Sequence, residues 1–159
     1  MQLVLPNDAF NGPNCGVTAV AIAAQKTMAQ TWAAFTKKFN KKRRWRGDTY
    51  YEERVEILKD FGVKFIEFTV ERQTLTKFCK ETANGWGKDK IFMVTTTGHV
   101  QMVRNDTVID QGGPREIDKY YGRRKFINRK VIEIVPPADK AQAADWVTFG
   151  LPLFDQGGK

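Results

Sequence analysis

The sequence predicts an α+β domain, with helices in the first half and an antiparallel sheet in the second. Two observations carry this. Up to Thr82 the apolar residues recur at helical spacing, and from Ile91 onward they alternate in short runs rich in Val and Ile. A third, the length of 159 residues, suits one domain with a sizeable core.

The elements follow in order. Leu3 to Leu5 reads as a short edge strand or lead-in. Pro6 to Asn14 is rich in Pro, Asn, Asp and Gly, the residues of turns. Cys15 to Gln25 is apolar on almost every side, the pattern of a buried helix, and Asn14 suits its N-cap. Ala29 to Phe39 places Trp32, Phe35 and Phe39 on one helical stripe. Thr49 to Phe61 is a third helix, with Thr49 and Glu52 as a capping box, Val55, Leu58 and Phe61 as its stripe and Gly62 at its end. Val63 to Phe68 reads as a strand. Gln73 to Thr82 is a short helix with Leu75, Phe78 and Cys79 inward, and Gly85-Trp86-Gly87 a loop. Strands follow at Ile91–Thr96, Gly98–Arg104, Thr107–Gln111 and Phe126–Val135, with a helical turn over Pro114–Tyr121. Pro136-Pro137 ends the sheet. The expected organisation is one domain over 1–137 and a tail over 138–159. Trp146, Phe149, Leu151, Leu153 and Phe154 make that tail apolar enough to dock in a cleft.

Composition narrows the function. Lys and Arg number 26 and Asp and Glu 18, a net charge of +8. No apolar run reaches the roughly 18–20 residues of a membrane span. The N-terminus lacks the basic segment of a signal peptide. Two cysteines make no disulfide scaffold, and with a single histidine they leave too few ligands for a structural zinc site. The expectation is a cytoplasmic, monomeric protein with no membrane contact, no metal and no cofactor.

Three residues carry the chemistry: Cys15, His99 and Asp110. Cys15 falls in the first helical turn, where free N–H groups and the helix dipole favour a thiolate. By itself it reads better as a small core residue, since free cysteines are usually buried and inert. A two-residue turn at Asn105-Asp106 sets Arg104 opposite Thr107 and Val103 opposite Val108. His99, Gln101, Val103, Val108 and Asp110 then share one face, with His99 and Asp110 as diagonal neighbours. A register slip of one residue would separate them. Together the three supply a nucleophile, a base and an orienting carboxylate, the roles that acyl transfer needs.

Pro13-Asn14-Cys15-Gly16-Val17-Thr18-Ala19, then Gly98-His99-Val100, then Val108-Ile109-Asp110, resemble the papain-like cysteine peptidases, nearest to the small C39-like peptidases and their phage-encoded relatives. The resemblance runs from Asn7 to Val135 in element order. It implies a central helix carrying the cysteine, packed on an antiparallel sheet that carries His and Asp. It implies Cys15 as nucleophile, His99 as general base and acid and Asp110 as the group fixing the imidazole, acting through an acyl-enzyme thioester. A phage-encoded protein would work in the host cytoplasm. The family commonly carries a Gln six residues before the Cys to complete the oxyanion hole. Ala9 stands there, so Asn7, Asn11 or Asn14 is expected to supply the amide. Gly16, Gly98, Trp86 and Gln101 are candidates for lining the substrate cleft.

The expected partner is a protein or peptide, with the charge of +8 favouring an acidic one. A second class of function stays open. Seven of the ten residues from Lys37 to Arg46 are basic and Trp45 lies among them, a composition that can bind nucleic acid. On that reading the papain-like scaffold is inactive. A third, an acyltransferase or deamidase, would share the three residues and differ in what resolves the thioester.

Overall fold

The computed structural model describes residues 3–137 and the strand 151–152. The first strand, β1, is Val4–Leu5. Three helices follow: α1 Cys15–Ala24, α2 Met28–Phe39 and α3 Tyr51–Asp60. Next come β2 Lys64–Phe68, one α-helical turn, α4, at Leu75–Lys77 and a π-helical segment at Phe78–Trp86. The remaining strands are β3 Ile91–Thr96, β4 His99–Arg104, β5 Thr107–Asp110, β6 Gly113–Glu116, β7 Asn128–Val135 and β8 Leu151–Pro152. Six of them form one antiparallel sheet in the order β2-β7-β3-β4-β5-β6. The other two, β1 and β8, pair with each other. So the main chain at Leu151 returns to the start of the domain. Trp146, Phe149, Leu153 and Phe154 lie outside the described residues.

The α+β order stands, and its layering is richer than helices on one face. A first core joins α1, α2 and α3 to the sheet face that carries Met93, Val100, Met102, Ile109 and Ile132. A second core lies on the opposite face. There Phe92, Val94, Val103, Val108 and Val131 meet Leu75, Phe78, Cys79 and Ala83. The two-residue period of the strands sorts these side chains between the layers.

Helix α1 sits at the centre, and every residue from Gly16 to Ala23 is buried. Its expected cap differs in detail. Asn14 accepts the Thr18 N–H through its backbone carbonyl, while its side-chain oxygen accepts the Thr18 hydroxyl and caps no backbone N–H. Helix α2 carries the stronger start. Thr27 and Gln30 close a reciprocal capping box, and the Asp8 carboxylate accepts the N–H groups of Met28 and Ala29 at 2.8 and 3.0 Å. Negative charge at a helix N-terminus is favourable, so the turn before Cys15 is tied to α2. In α3 the capping pair shifts by one residue: Glu53 accepts the Tyr50 N–H. Thr49 is left to bind an arginine at the site.

Two expectations are corrected. The helix from Leu75 runs on through Trp86, with a break in helical geometry at Gly85, so Trp86 ends a helix rather than standing in a loop. The segment Gly113–Glu116 is the edge strand β6, and only Ile117–Lys119 turns helically, as a 3-10 turn. Pro114 lacks an N–H and is tolerated because β6 has a free edge.

Candidate active site

The loop before Cys15 and the strand that opens with His99 come from opposite halves of the chain. Cys15 is the first residue of α1, where backbone N–H groups have no partner within the helix. His99 opens β4 after the tight turn at Thr97-Gly98. Gly98 has φ +70 and so takes the left-handed conformation that glycine adopts without strain. The β4–β5 hairpin has the expected register, with Val103 opposite Val108 and Arg104 opposite Thr107. His99 Nε2 and Asp110 Oδ2 lie 2.9 Å apart, both residues almost wholly buried. The helix of Cys15 packs on one face of the sheet, while His99 and Asp110 follow the alternation of the other. They meet at the mouth of β4, where the Val100 N–H and the His99 ring both hydrogen-bond the Cys15 sulfur. With Nε2 taken by Asp110, Nδ1 is the ring nitrogen left for the thiol.

Asp110 is saturated with donors. Oδ2 accepts from His99, from the Tyr120 hydroxyl at 2.6 Å and from Arg123 Nη1 at 3.1 Å. Oδ1 accepts the Gly112 N–H at 2.8 Å. Burial would raise this carboxyl, but the donors, His99 first, hold it well below the usual carboxylate range. The same balance pushes the Tyr120 hydroxyl up, by burial and by its bond to Asp110, so it stays a donor.

The thiol and the imidazole move toward each other. Burial pushes the Cys15 thiol up, yet the hydrogen bond from His99, the charge on His99, the Val100 N–H and the charge of Arg54 together bring it below its ordinary value. Burial pulls the His99 ring down, and its bonds to Asp110 and Cys15 outweigh that and raise it. Both shifts act in favour of the thiolate–imidazolium form of the pair. Cys79 contrasts with it. Burial, with the Asp106 charge added, pushes that thiol up to about 12.

Sequence reasoning missed Tyr120 and Arg123 at Asp110, and it missed Arg54. Arg54 is 3% exposed. Its Nη1 donates to the carbonyl and hydroxyl of Thr49 and its Nη2 to Thr95 Oγ1, all at 3.0 Å. Among the described residues no carboxylate pairs with it. Burial lowers its pKa, and the facing charge of Cys15 works the other way. The spacing of Tyr51, Arg54 and Leu58 at i, i+3 and i+7 puts it on the inward stripe of α3. A charged residue on that stripe was the available signal. Gly16 belongs to the same construction: a Cβ there would collide with Thr49 Oγ1 and press on Arg54 Cδ. Gly16 admits the arginine and does not line the cleft.

The cleft has a volume of about 590 Å³ and is lined by Cys15, Thr49, Tyr51, Arg54, Gly98, His99 and Gln111, among others. Gln111 Nε2 donates to the Gly12 carbonyl at 3.0 Å, tying the cysteine loop to the end of β5. Gly98 takes its expected place. The asparagines do not. Asn7 and Asn11 are exposed outside the cleft, and Asn14 is buried with its amide donating to the Phe10 carbonyl. Gln101 is wholly buried and donates to the Val94 carbonyl of the next strand. Trp86 lines a separate cavity with Phe68, Phe78 and Val131.

No protein-family model, curated protein or solved structure matches the chain. The chemistry therefore rests on the site itself. Among the described residues no group of His, Cys, Asp and Glu is placed to hold a metal ion, and no helix is long and apolar enough to cross a membrane.

The basic segment after α2 is a surface of another kind. Trp45 packs on Trp32 and Phe35 at centroid distances of 4.7 and 5.9 Å, and its Nε1 donates to the Asp48 carbonyl. Lys41 is paired with Glu53, and Lys38 with Asp60 and Glu56. The aromatic ring amid the charge is committed to packing rather than standing free to stack on a base.

Proposed function

We propose that this chain is a thiol hydrolase of papain-like design, cleaving a peptide or amide bond through Cys15, His99 and Asp110. One observation carries the reading: a cysteine at a helix N-terminus hydrogen-bonded to a histidine that is itself bonded to a buried, fully solvated-by-protein carboxylate. The Cys15 sulfur attacks the carbonyl carbon and the C–O π electrons pass to oxygen. The Cys15 N–H is the first donor for that oxyanion, and the positive charge of Arg54, which lines the same cleft and acts on Cys15, takes the part of the amide that Ala9 cannot offer. The C–N bond then breaks, and the His99 proton goes to the leaving amine. His99 next takes a proton from water, whose oxygen displaces the sulfur to give the carboxylic acid. Asp110 keeps the ring in one tautomer and balances its charge throughout.

The test is alkylation of each thiol by iodoacetamide across pH, read by mass spectrometry, beside turnover of a fluorogenic peptide library. We expect Cys15 to react well below the ordinary thiol pKa of about 8.5 and to lose that reactivity in His99→Ala. Cys79 should stay inert. A Cys15 that titrates like a free thiol whatever residue stands at 99 would remove the reading.

A further inference from the structure

The cleft around Cys15 has a one-sided charge. Four cations line it, Arg54, Arg123, Arg129 and Lys130, against a single acid, Asp48. Arg54 is committed to Thr49 and Thr95, and Arg123 to Asp110. Arg129 and Lys130 are exposed on β7, and among the described residues neither has an ion-pair partner. Neighbours on a regular strand point to opposite faces, so two adjacent cations on one cleft need an explanation. The register supplies it. Thr95 pairs with Lys130 and Thr96 with Asn128, so Arg129 is the extra residue of a β-bulge. A bulge re-aims side chains at a sheet's working end. Lys130 shares a face with Thr95, whose hydroxyl anchors Arg54, and its Nζ lies 5.1 Å from the Tyr51 ring on the cleft wall.

Building on the hydrolase reading above, we propose that this cleft selects polypeptides with Asp or Glu beside the scissile bond, their carboxylates held by Arg129 and Lys130 with Arg123 on the opposite wall. Arg129 and Lys130 are exposed and line the same cleft as Cys15. They are placed to hold flanking side chains rather than the bond that breaks.

The experiment uses the full chain with Cys15→Ala, so that binding is read without chemistry. Fluorescence anisotropy compares labelled peptides rich in Glu with twins in which each Glu is Gln, and a labelled single-stranded oligonucleotide of equal charge. We expect the Glu peptides to bind about tenfold or more tightly at low salt, with the margin shrinking as salt screens it. In Arg129→Glu/Lys130→Glu the margin should vanish. A control with the same net charge, Lys64→Glu/Lys88→Glu, should keep it. Equal binding of Glu and Gln peptides, or a margin that both double variants reduce alike, overturns the proposal. So does an oligonucleotide that binds more tightly than the Glu peptides and is lost on the Arg129/Lys130 reversal. The two readings fail separately. Native chain that turns over no peptide yet shows the Glu margin removes the hydrolase and leaves the selectivity. Native chain that cleaves Glu and Gln peptides alike does the reverse.

Discussion

Arg54 shows how one side chain can be tested apart from its neighbours. Alkylation by iodoacetamide forms no oxyanion, whereas peptide cleavage and the capture of a peptide aldehyde both do. Arg54→Met should therefore react normally with iodoacetamide once the pH is high enough to ionise Cys15. Its turnover should fall by about a hundredfold or more, and its affinity for a peptide aldehyde should fall with it. Loss of turnover with unchanged aldehyde affinity would count against the oxyanion role. Arg54→Met leaves the Thr49 carbonyl and the Thr95 hydroxyl without their donor, a loss of about 1–3 kcal/mol, so a thermal melt accompanies the test to show that the variant is folded. Three site residues were legible in the sequence because chemistry-bearing types are scarce in it. One histidine exists, and the hairpin arithmetic from Asn105-Asp106 put Asp110 on its face. Tyr120 and Arg123 were not legible. They reach Asp110 through the irregular segment after β6, whose path no periodicity describes.

At the scale of elements, the start of α1 is built by α3. Thr49 and Arg54 press on Gly16 so closely that no side chain fits between them. Alanine is the better helix former by about 1 kcal/mol, yet Gly16→Ala should lower stability, by about 1–3 kcal/mol if the clash behaves like other overpacking. Adding Thr49→Ala should recover part of the loss, because it removes the hydroxyl that the new Cβ meets. Thermal melts of the two variants check this. The α2 cap makes a second expectation: Thr27→Ala breaks the reciprocal bonds with Gln30 and should cost about 1 kcal/mol. Helices with a clear stripe were legible because burial repeats at their own period. Strand β6 was not, because Gly113-Pro114 reads as a turn wherever the pairing partner is unknown. Likewise the π-helical widening after Lys77 has no signature in local spacing.

The whole molecule responds to pH through the same buried cluster. The Asp110 carboxyl lies below its ordinary value in the folded protein. Its contribution is complete above the unfolded carboxylate range, near pH 4, and is lost as pH falls through the lower folded value. His99 is raised, so its contribution is complete below the unfolded value of about 6.5 and fades as pH rises through the folded one. Both contributions are complete together in mildly acidic solution, between about pH 4 and pH 6.5. Asp110→Asn should flatten the acid side of a Tm-against-pH curve, and a curve that keeps its acid slope in that variant would contradict this. The sheet order was the least legible feature. β7 inserts between β2 and β3, and the tail strand β8 pairs with β1, long-range choices that no local pattern encodes. The second core, under α4 and the π-helix, follows from that order.

The bond from Gln111 to the Gly12 carbonyl joins residues 99 positions apart, and the nucleophile and its base are separated almost as widely. A nascent chain that has emerged only through its helices carries Cys15 as an ordinary thiol, with no imidazole to activate it. On the proposed reading, reactivity waits until the β4–β5 hairpin has left the ribosome and closed against α1. In a refolding experiment the reactivity proposed for Cys15 would then report the moment at which the β4–β5 hairpin closes against α1.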